Sequence, residues 1–394
     1  MEHGSVGERI AYWRKRRGLS QQVLAGLVGR SASWMTKVER GDRIVDKLSV
    51  LLALSYALKV DLGKLVGGVE LPPNGGGPLD PPRGIVAVRR ALFTPPPDRE
   101  PPTAAELRAK VEEAKRLRHN SRYEAVGIVL PELITAGRAS AAVQDTAQAW
   151  WCLAGAYQVA SALSRTVGER DLALLTADRA VIAAQRSGDG LLVAVSELLL
   201  ALALLRQGLL DEAGAVCSNA ADAIAPTDVT PLKGWALWGP LRLTEAVIAA
   251  RAESTAHAWR LLRDARSAAE RVGSGRRDYW SAFGPANVGV YEVAVALEAG
   301  DPVEALRVAD RVEVDELPTA ERRARFCVYV ARAHALDRND AATVGLLLEA
   351  ERHSPEEVRY SVLARELARV CLSRERRSLT PGLRGLAERL GVGD

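Results

Sequence analysis

The residues best able to do chemistry fall into two groups far apart in the chain. In the first, Ser33, Thr36 and Lys37 place two hydroxyls and an ammonium on the outward side of one short helical pattern, with the small Ala32 beside them. Such groups form hydrogen bonds to a polar surface outside the protein. In the second, Trp235 and Trp238 precede the run Arg276-Arg277-Asp278-Tyr279-Trp280-Ser281-Ala282-Phe283, with Asn287 shortly after. Aromatics beside an amide and paired arginines can clamp an extended peptide, Asn287 bonding its backbone and Arg276 or Arg277 its carboxylate. Trp235, Trp280 and Phe283 each fit ordinary packing between helices better than a binding role, whereas Asn287 interrupts a helix otherwise apolar at Val288, Val290 and Val293.

Catalytic patterns are missing. There is no phosphate-cradling glycine loop, no HExxH and no nucleophile elbow. His3, His119, His257, His334 and His353 are isolated from one another and from the cysteines. Cys152, Cys217, Cys327 and Cys371 are scattered without a CxxC pair, which predicts reduced core thiols and no metal centre. The sequence therefore predicts a protein that is not an enzyme and needs no cofactor.

The elements that hold Ser33, Thr36 and Lys37 can be read from Ser20 to Gly41. Ser20 is a good N-cap, followed by Val23, Leu24, Leu27 and Val28 at helical spacing, with Ala25 where two helices can approach closely. Gly29 permits a sharp turn that a residue with a Cβ resists. Ser31 caps a second helix that docks through Met35 and Val38 and ends before Gly41. Two short helices joined this way have the spacing of a helix-turn-helix, which points to DNA.

This stretch resembles the Cro/C1-type (XRE) helix-turn-helix family, in a likeness that runs from about Val6 to Val66. Gln21, Ala25, Gly29, Met35 and Val38 fall in register, and Val38-Glu39-Arg40-Gly41 is similar to the family's helix ending. Val6 to Arg17 fits a first helix with Ile10 and Trp13 on its apolar side, Lys47 to Leu58 a fourth and Asp61 to Val66 a fifth, around Leu24, Leu48, Leu51, Leu52, Leu58, Leu62 and Leu65. The resemblance implies a lambda-repressor-like fold whose recognition helix enters the major groove with Ala32, Ser33 and, one turn on, Lys37 nearest the base edges, and with Ser31 and Thr36 also on the DNA-binding face. It implies a phosphate contact for Gln21, and further backbone contacts for Arg30, Arg40, Arg43 and Lys47. Trp34 stands where a small polar residue is usual; it either covers a sugar or thymine methyl, or packs against Leu48.

Charge agrees with this division. Residues 1–67 hold twelve Lys plus Arg against six Asp plus Glu, a balance of +6, while the whole chain is +4, so the remainder sums to −2. The run Arg14-Lys15-Arg16-Arg17 at the end of the first helix reads either as part of the basic footprint or as a solvated face that complements the helix dipole.

With 394 residues, more than one domain is expected. Between Gly67 and Thr103 lie ten of the nineteen prolines and Gly75-Gly76-Gly77, which predicts a linker over 68–102, interrupted by a short helix at Ile85 to Phe93. From 103 to 394 the chain reads as helix pairs with breaks at Asn120, Gly168, Gly208, Ala252, Gly300 and Asn339. Trp150, Leu153, Ala154 and Tyr157 fit the tetratricopeptide first-helix pattern, so an α-solenoid of about six pairs is expected, with a cap from Leu379. The fold class is all-α. No signal peptide is evident, and the apolar run Leu191 to Leu205 reads as a buried helix, so a cytoplasmic protein without a membrane segment is expected.

A head and body of these kinds resemble, in architecture, the peptide-pheromone-sensing RRNPP regulators of quorum sensing. That likeness implies a transcriptional regulator whose repeat domain forms a homodimer and senses a peptide or small-molecule effector, with double-stranded DNA as the other partner. A tetratricopeptide scaffold that binds a protein partner, its head secondary, is the alternative reading.

Overall fold

The computed structural model describes residues 5–43, 45, 48–60, 65, 82, 84–96, 100–227, 229–274, 279, 282–374 and 380–392, without the side chains of residues 48, 49 and 52. Every regular element among them is helical. Lys47, most of the expected fifth helix and most of the expected 68–84 linker lie outside the described residues.

In the head, α1 (Val6–Arg16), α2 (Gln21–Leu27), α3 (Ala32–Glu39) and α4 (Leu48–Leu58) surround one core of Ile10, Trp13, Leu24, Met35, Val38, Leu51, Leu54, Leu58 and Leu65. A capping box of Ser5 and Glu8 starts α1, and the Ser20 and Ser31 hydroxyls accept from the amides of Val23 and Trp34 to start α2 and α3. Gly7 sets the contact between α1 and α3, because a Cβ there would lie 2.0 Å from the Val38 carbonyl oxygen. One expectation is corrected. Leu24 and Ala25 are buried, but Val23 and Leu27 are 49% and 57% exposed, so the apolar side of α2 is narrower than its sequence pattern.

The body begins with α5 (Ile85–Phe93), whose Ile85, Val88 and Leu92 join the core of the first repeats. Six antiparallel pairs follow: α6 (Ala104–His119) with α7 (Tyr123–Gln144), α8 (Ala147–Thr166) with α9 (Arg170–Ser187), α10 (Gly190–Gln207) with α11 (Leu210–Ala223), α12 (Leu232–Arg251) with α13 (Thr255–Val272), α14 (Pro285–Glu298) with α15 (Pro302–Ala309), and α16 (Ala320–Leu336) with α17 (Asp340–His353). Within each pair the turn contains one residue in the left-handed region: Ser121, Gly168, Gly208, Glu253, Gly300 and Arg338. The sequence breaks coincide with these turns. The first helices of successive pairs stack side by side, which makes the array a solenoid. Helices α18 (Pro355–Tyr360), α19 (Val362–Ser373) and α20 (Leu383–Arg389) cover its last core.

The two ends of the solenoid meet. Tyr123 Oη, at the start of α7, donates to the Glu357 carboxylate, and Tyr360 Oη donates to Glu124 Oε1 at 2.6 Å. The Glu124 amide donates to Glu356 Oε2 at 3.0 Å, and the rings of Tyr123 and Tyr360 meet edge to face at 6.4 Å. Tyr360 shares the core of the first pair, so the two ends of the superhelix are packed together.

Helices α7 and α10 are long and apolar enough to cross a membrane by composition, and both are packed within this array.

Candidate nucleic-acid interface and the enclosed cavity

A network of hydrogen bonds fixes α3 against α1 and α2. Arg14 donates to both oxygens of Glu39, at 2.6 and 2.8 Å, in the fork that guanidinium and carboxylate favour. Gln21 Nε2 donates to the same carboxylate at 2.7 Å, and Thr36 Oγ1 donates to Gln21 Oε1 at 2.9 Å. Burial alone raises the pKa of Glu39, but the bonds from Arg14 and Gln21 outweigh it and hold the carboxyl below its ordinary value. Three helices thus share one buried charge pair, which orients the outer face of α3.

That face carries Ser31, Ala32, Ser33 and Lys37, all exposed, with Arg30, Arg40 and Arg43 exposed around it. The side chains of Lys37, Arg40 and Arg43 make no hydrogen bond or ion pair among the described residues. Trp34 is half-buried against the head core, with the Arg30 guanidinium 5.7 Å above its ring. Thr36 departs from the expected outward position, since its hydroxyl bonds to Gln21 and to the Ala32 carbonyl. Gln21 likewise spends its carbonyl and one amide hydrogen inside the head, leaving one hydrogen for an outside acceptor.

The basic run of α1 serves the structure itself. Beyond the Arg14 pair, Arg17 donates to the carbonyls of Leu58 and Lys59 within the head and to Gly300 of the body at 2.8 Å. Arg16 pairs with Glu253 at 3.0 Å, and Tyr12 Oη donates to the same carboxylate. Arg374 reaches Tyr56 Oη at 3.2 Å and stacks over its ring. Head and body therefore meet through a polar joint on the side of α1 and α4, and no hydrogen bond or ion pair among the described residues ties 20–43 to the body. A polar joint of this kind permits relative motion.

Below the joint lies a cavity of about 1150 Å³ at the centre of the closed solenoid. Arg9, Tyr12 and Trp13 of α1 form part of its rim, and its wall is built from α8, α10, α12, α14 and α16.

Residues 5–65 match the family model of the helix-turn-helix domain. The head is a helix-turn-helix domain. No curated protein matches the chain. Among solved structures, the crystal structure of Bacillus thuringiensis PlcR in complex with the peptide PapR7 and DNA aligns over 85% of this chain and 98% of that one, at 11% identity and a TM-score of 0.34.

Of the effector residues expected from the sequence, the five that are described lie away from the cavity beneath the helix-turn-helix domain. Trp235 and Trp238 pack on the core of α12, α13 and α14, in edge-to-face contact at 6.0 Å. Phe283 is fully buried in the same core, its ring against Gly239, where a Cβ would collide with it. Tyr279 donates to Asp189 Oδ2 at 2.8 Å and packs on the first core. Asn287 is buried, and its Oδ1 has no hydrogen-bond partner among the described residues. None of these five lines the cavity. Arg276, Arg277 and Trp280 lie outside the described residues.

All four cysteines are buried and unpaired by disulfides. Contrary to the isolation expected of the histidines, the fold brings Cys327, Glu349 and His353 together, with ligand atoms within 4.8 Å of one another. Burial and the nearby Glu349 carboxylate push the Cys327 thiol up to about 12.

The residues that sequence reasoning missed are the arginines of the cavity wall. Arg165, Arg206 and Arg251 each stand at the C-terminal end of a helix, where a cation reads as a complement to the helix dipole, and nothing in the sequence shows that those ends converge.

Proposed function

We propose that the protein is a transcriptional regulator that binds double-stranded DNA through its helix-turn-helix head and responds to an effector held by its helical-repeat body. The observation that carries this reading is the outer face of α3. It is fixed from behind by Arg14, Glu39 and Gln21, and among the described residues it has no hydrogen bond or ion pair to the body, while Lys37 on it and Arg40 and Arg43 beside it have no hydrogen-bond or ion-pair partner. The family match of residues 5–65 supports the same assignment.

Residues 1–67 form the DNA-binding unit in this account, 68–102 the connection anchored by α5, and 103–394 the sensing and dimerising unit. Two heads in a homodimer would address half-sites about 34 Å apart, one helical turn of DNA. Ala32, Ser33 and Lys37 read the groove, while Arg30, Arg40, Arg43 and Lys47 neutralise phosphates. Gln21 contributes mainly by orienting α3, with its remaining amide hydrogen available to a phosphate. The effector, a peptide or small molecule, occupies the enclosed cavity, and the polar joint carries the response to the head. A protein that works on DNA in this way is cytoplasmic.

The test is a competition titration of Lys37→Ala. Loss of preference for a selected duplex over random duplex, with affinity for random duplex nearly kept, supports base readout. Equal losses on both remove Lys37 from that role.

A further inference from the structure

A ladder of arginines runs through the first helices of the solenoid, and three of its four members, Arg165, Arg206 and Arg251, line the cavity. Arg118, Arg165, Arg206 and Arg251 stand in the last or next-to-last position of α6, α8, α10 and α12, four successive first helices of the solenoid. On α14 the matching position is Glu298, which pairs with Arg251 at 3.4 Å and with Arg332 at 3.0 Å. Closure of the solenoid brings α16 to the other side, where Arg325 pairs with Glu321 and with Glu357. These carboxylates are therefore taken.

Arg165 and Arg206 are left over. Both line the cavity, and neither makes a hydrogen bond or ion pair with any described residue. Desolvation, followed by the like charges of Arg325, Arg118 and Arg206, pushes Arg165 down to about 9, so it stays cationic at neutral pH in an unfavourable setting. Arg206 is open to the cavity yet surrounded by protein, and its pKa is lowered by desolvation and then by Arg251. Dipole complementation accounts for an arginine at a solvated helix end. It does not account for unpaired cations that share the wall of one cavity.

We propose that this cavity binds a small ligand carrying at least two acidic groups, held by Arg165 and Arg206. Guanidinium forks match phosphate and carboxylate oxygens alike, and the phenols of Tyr291 and Tyr329 on the same wall add hydroxyl donors. A bound dianion supplies Arg165 and Arg206 with the counter-charge that no carboxylate of the wall gives them. The inference deepens the sensing role proposed above, and it holds or fails without any contact between head and DNA.

The test is calorimetric and thermal titration of the full chain with inorganic pyrophosphate and, separately, citrate, at matched ionic strength. The first probe represents phosphorylated ligands and the second polycarboxylates. Saturable binding of either, weakened roughly tenfold or more by Arg206→Gln and further by Arg165→Gln/Arg206→Gln, supports the site, since charge-assisted bonds are of that strength. The unliganded double variant should melt no lower than the natural chain, because it loses repelling charges. The proposal is overturned if neither probe binds, if binding survives in the double variant and so lies elsewhere, or if the unliganded double variant melts markedly lower, which would make the two arginines structural.

Discussion

Replacing Glu39 with Gln tests the framework that orients the exposed face of α3. Arg14 and Glu39 keep only 11% and 6% of their side-chain surface, so Glu39→Gln leaves a nearly buried guanidinium without its anion. Removing one partner of a buried pair costs about 3–5 kcal/mol. Glutamine still offers one oxygen to Arg14, which restores part of that, and a loss of about 2 kcal/mol is expected. In a head of about 60 residues each kcal/mol moves the midpoint by roughly 4–8 °C, so its melting should fall by about 8–16 °C. Hydrogen exchange of the α1–α3 amides, measured in the full chain, isolates the head from the body. Exchange through opening of the head should quicken about thirtyfold, while the amides of α8 and α12 are unchanged. A change below about threefold would refute the idea that this pair holds the three helices together. Arg14→Met/Glu39→Leu should recover most of the loss, because a well-packed apolar pair replaces a buried ionic one at little net cost.

Other outcomes follow from the same geometry. Gly7→Ala should unfold the head and leave the body melting intact, because the new Cβ meets the Val38 backbone at 2.0 Å; a head with unchanged circular dichroism and exchange would contradict that contact. Glu253→Ala removes the shared acceptor of Tyr12 and Arg16, so small-angle scattering should show a looser head, while stability changes by less than about 1 kcal/mol because the Arg16 pair is exposed. The pH dependence has a definite sign. Glu39 has a folded pKa below its ordinary 4.5, so its contribution is present above that value and is lost as pH falls through the folded pKa; acid titration followed by head exchange should show destabilisation beginning below about pH 4.5.

Much of this could be read from the sequence because local chemistry dictated it. The turns at Gly168, Gly208 and Gly300 need a left-handed backbone, and Ser20 and Ser31 supply caps that little else would supply in those places. What escaped the sequence depended on partners far away in the chain. Arg14 meets Glu39, Arg16 meets Glu253 and Arg17 meets Gly300, so a run that reads as a basic or solvated face is a set of structural ties. Val23 and Leu27 follow helical periodicity, but the small head has no further helix among the described residues to cover them. Trp235, Trp238 and Phe283 are close to Asn287 in the core of α12 to α14 rather than on the cavity, because proximity in sequence does not decide which side of a curved array a residue faces. The cavity itself exists through closure between Tyr123 and Glu357, a pairing of residues from opposite ends of the body.

The central claim is that the α3 face binds DNA, and the salt dependence of that binding tests it most directly. Affinity of the full chain for a duplex selected from a random pool should fall linearly in log–log form as salt rises, with a slope near −0.9 per phosphate neutralised. Arg40→Ala/Arg43→Ala should flatten that slope by about two contacts. Failure to form a complex at low salt, or a slope untouched by those substitutions, would contradict the account.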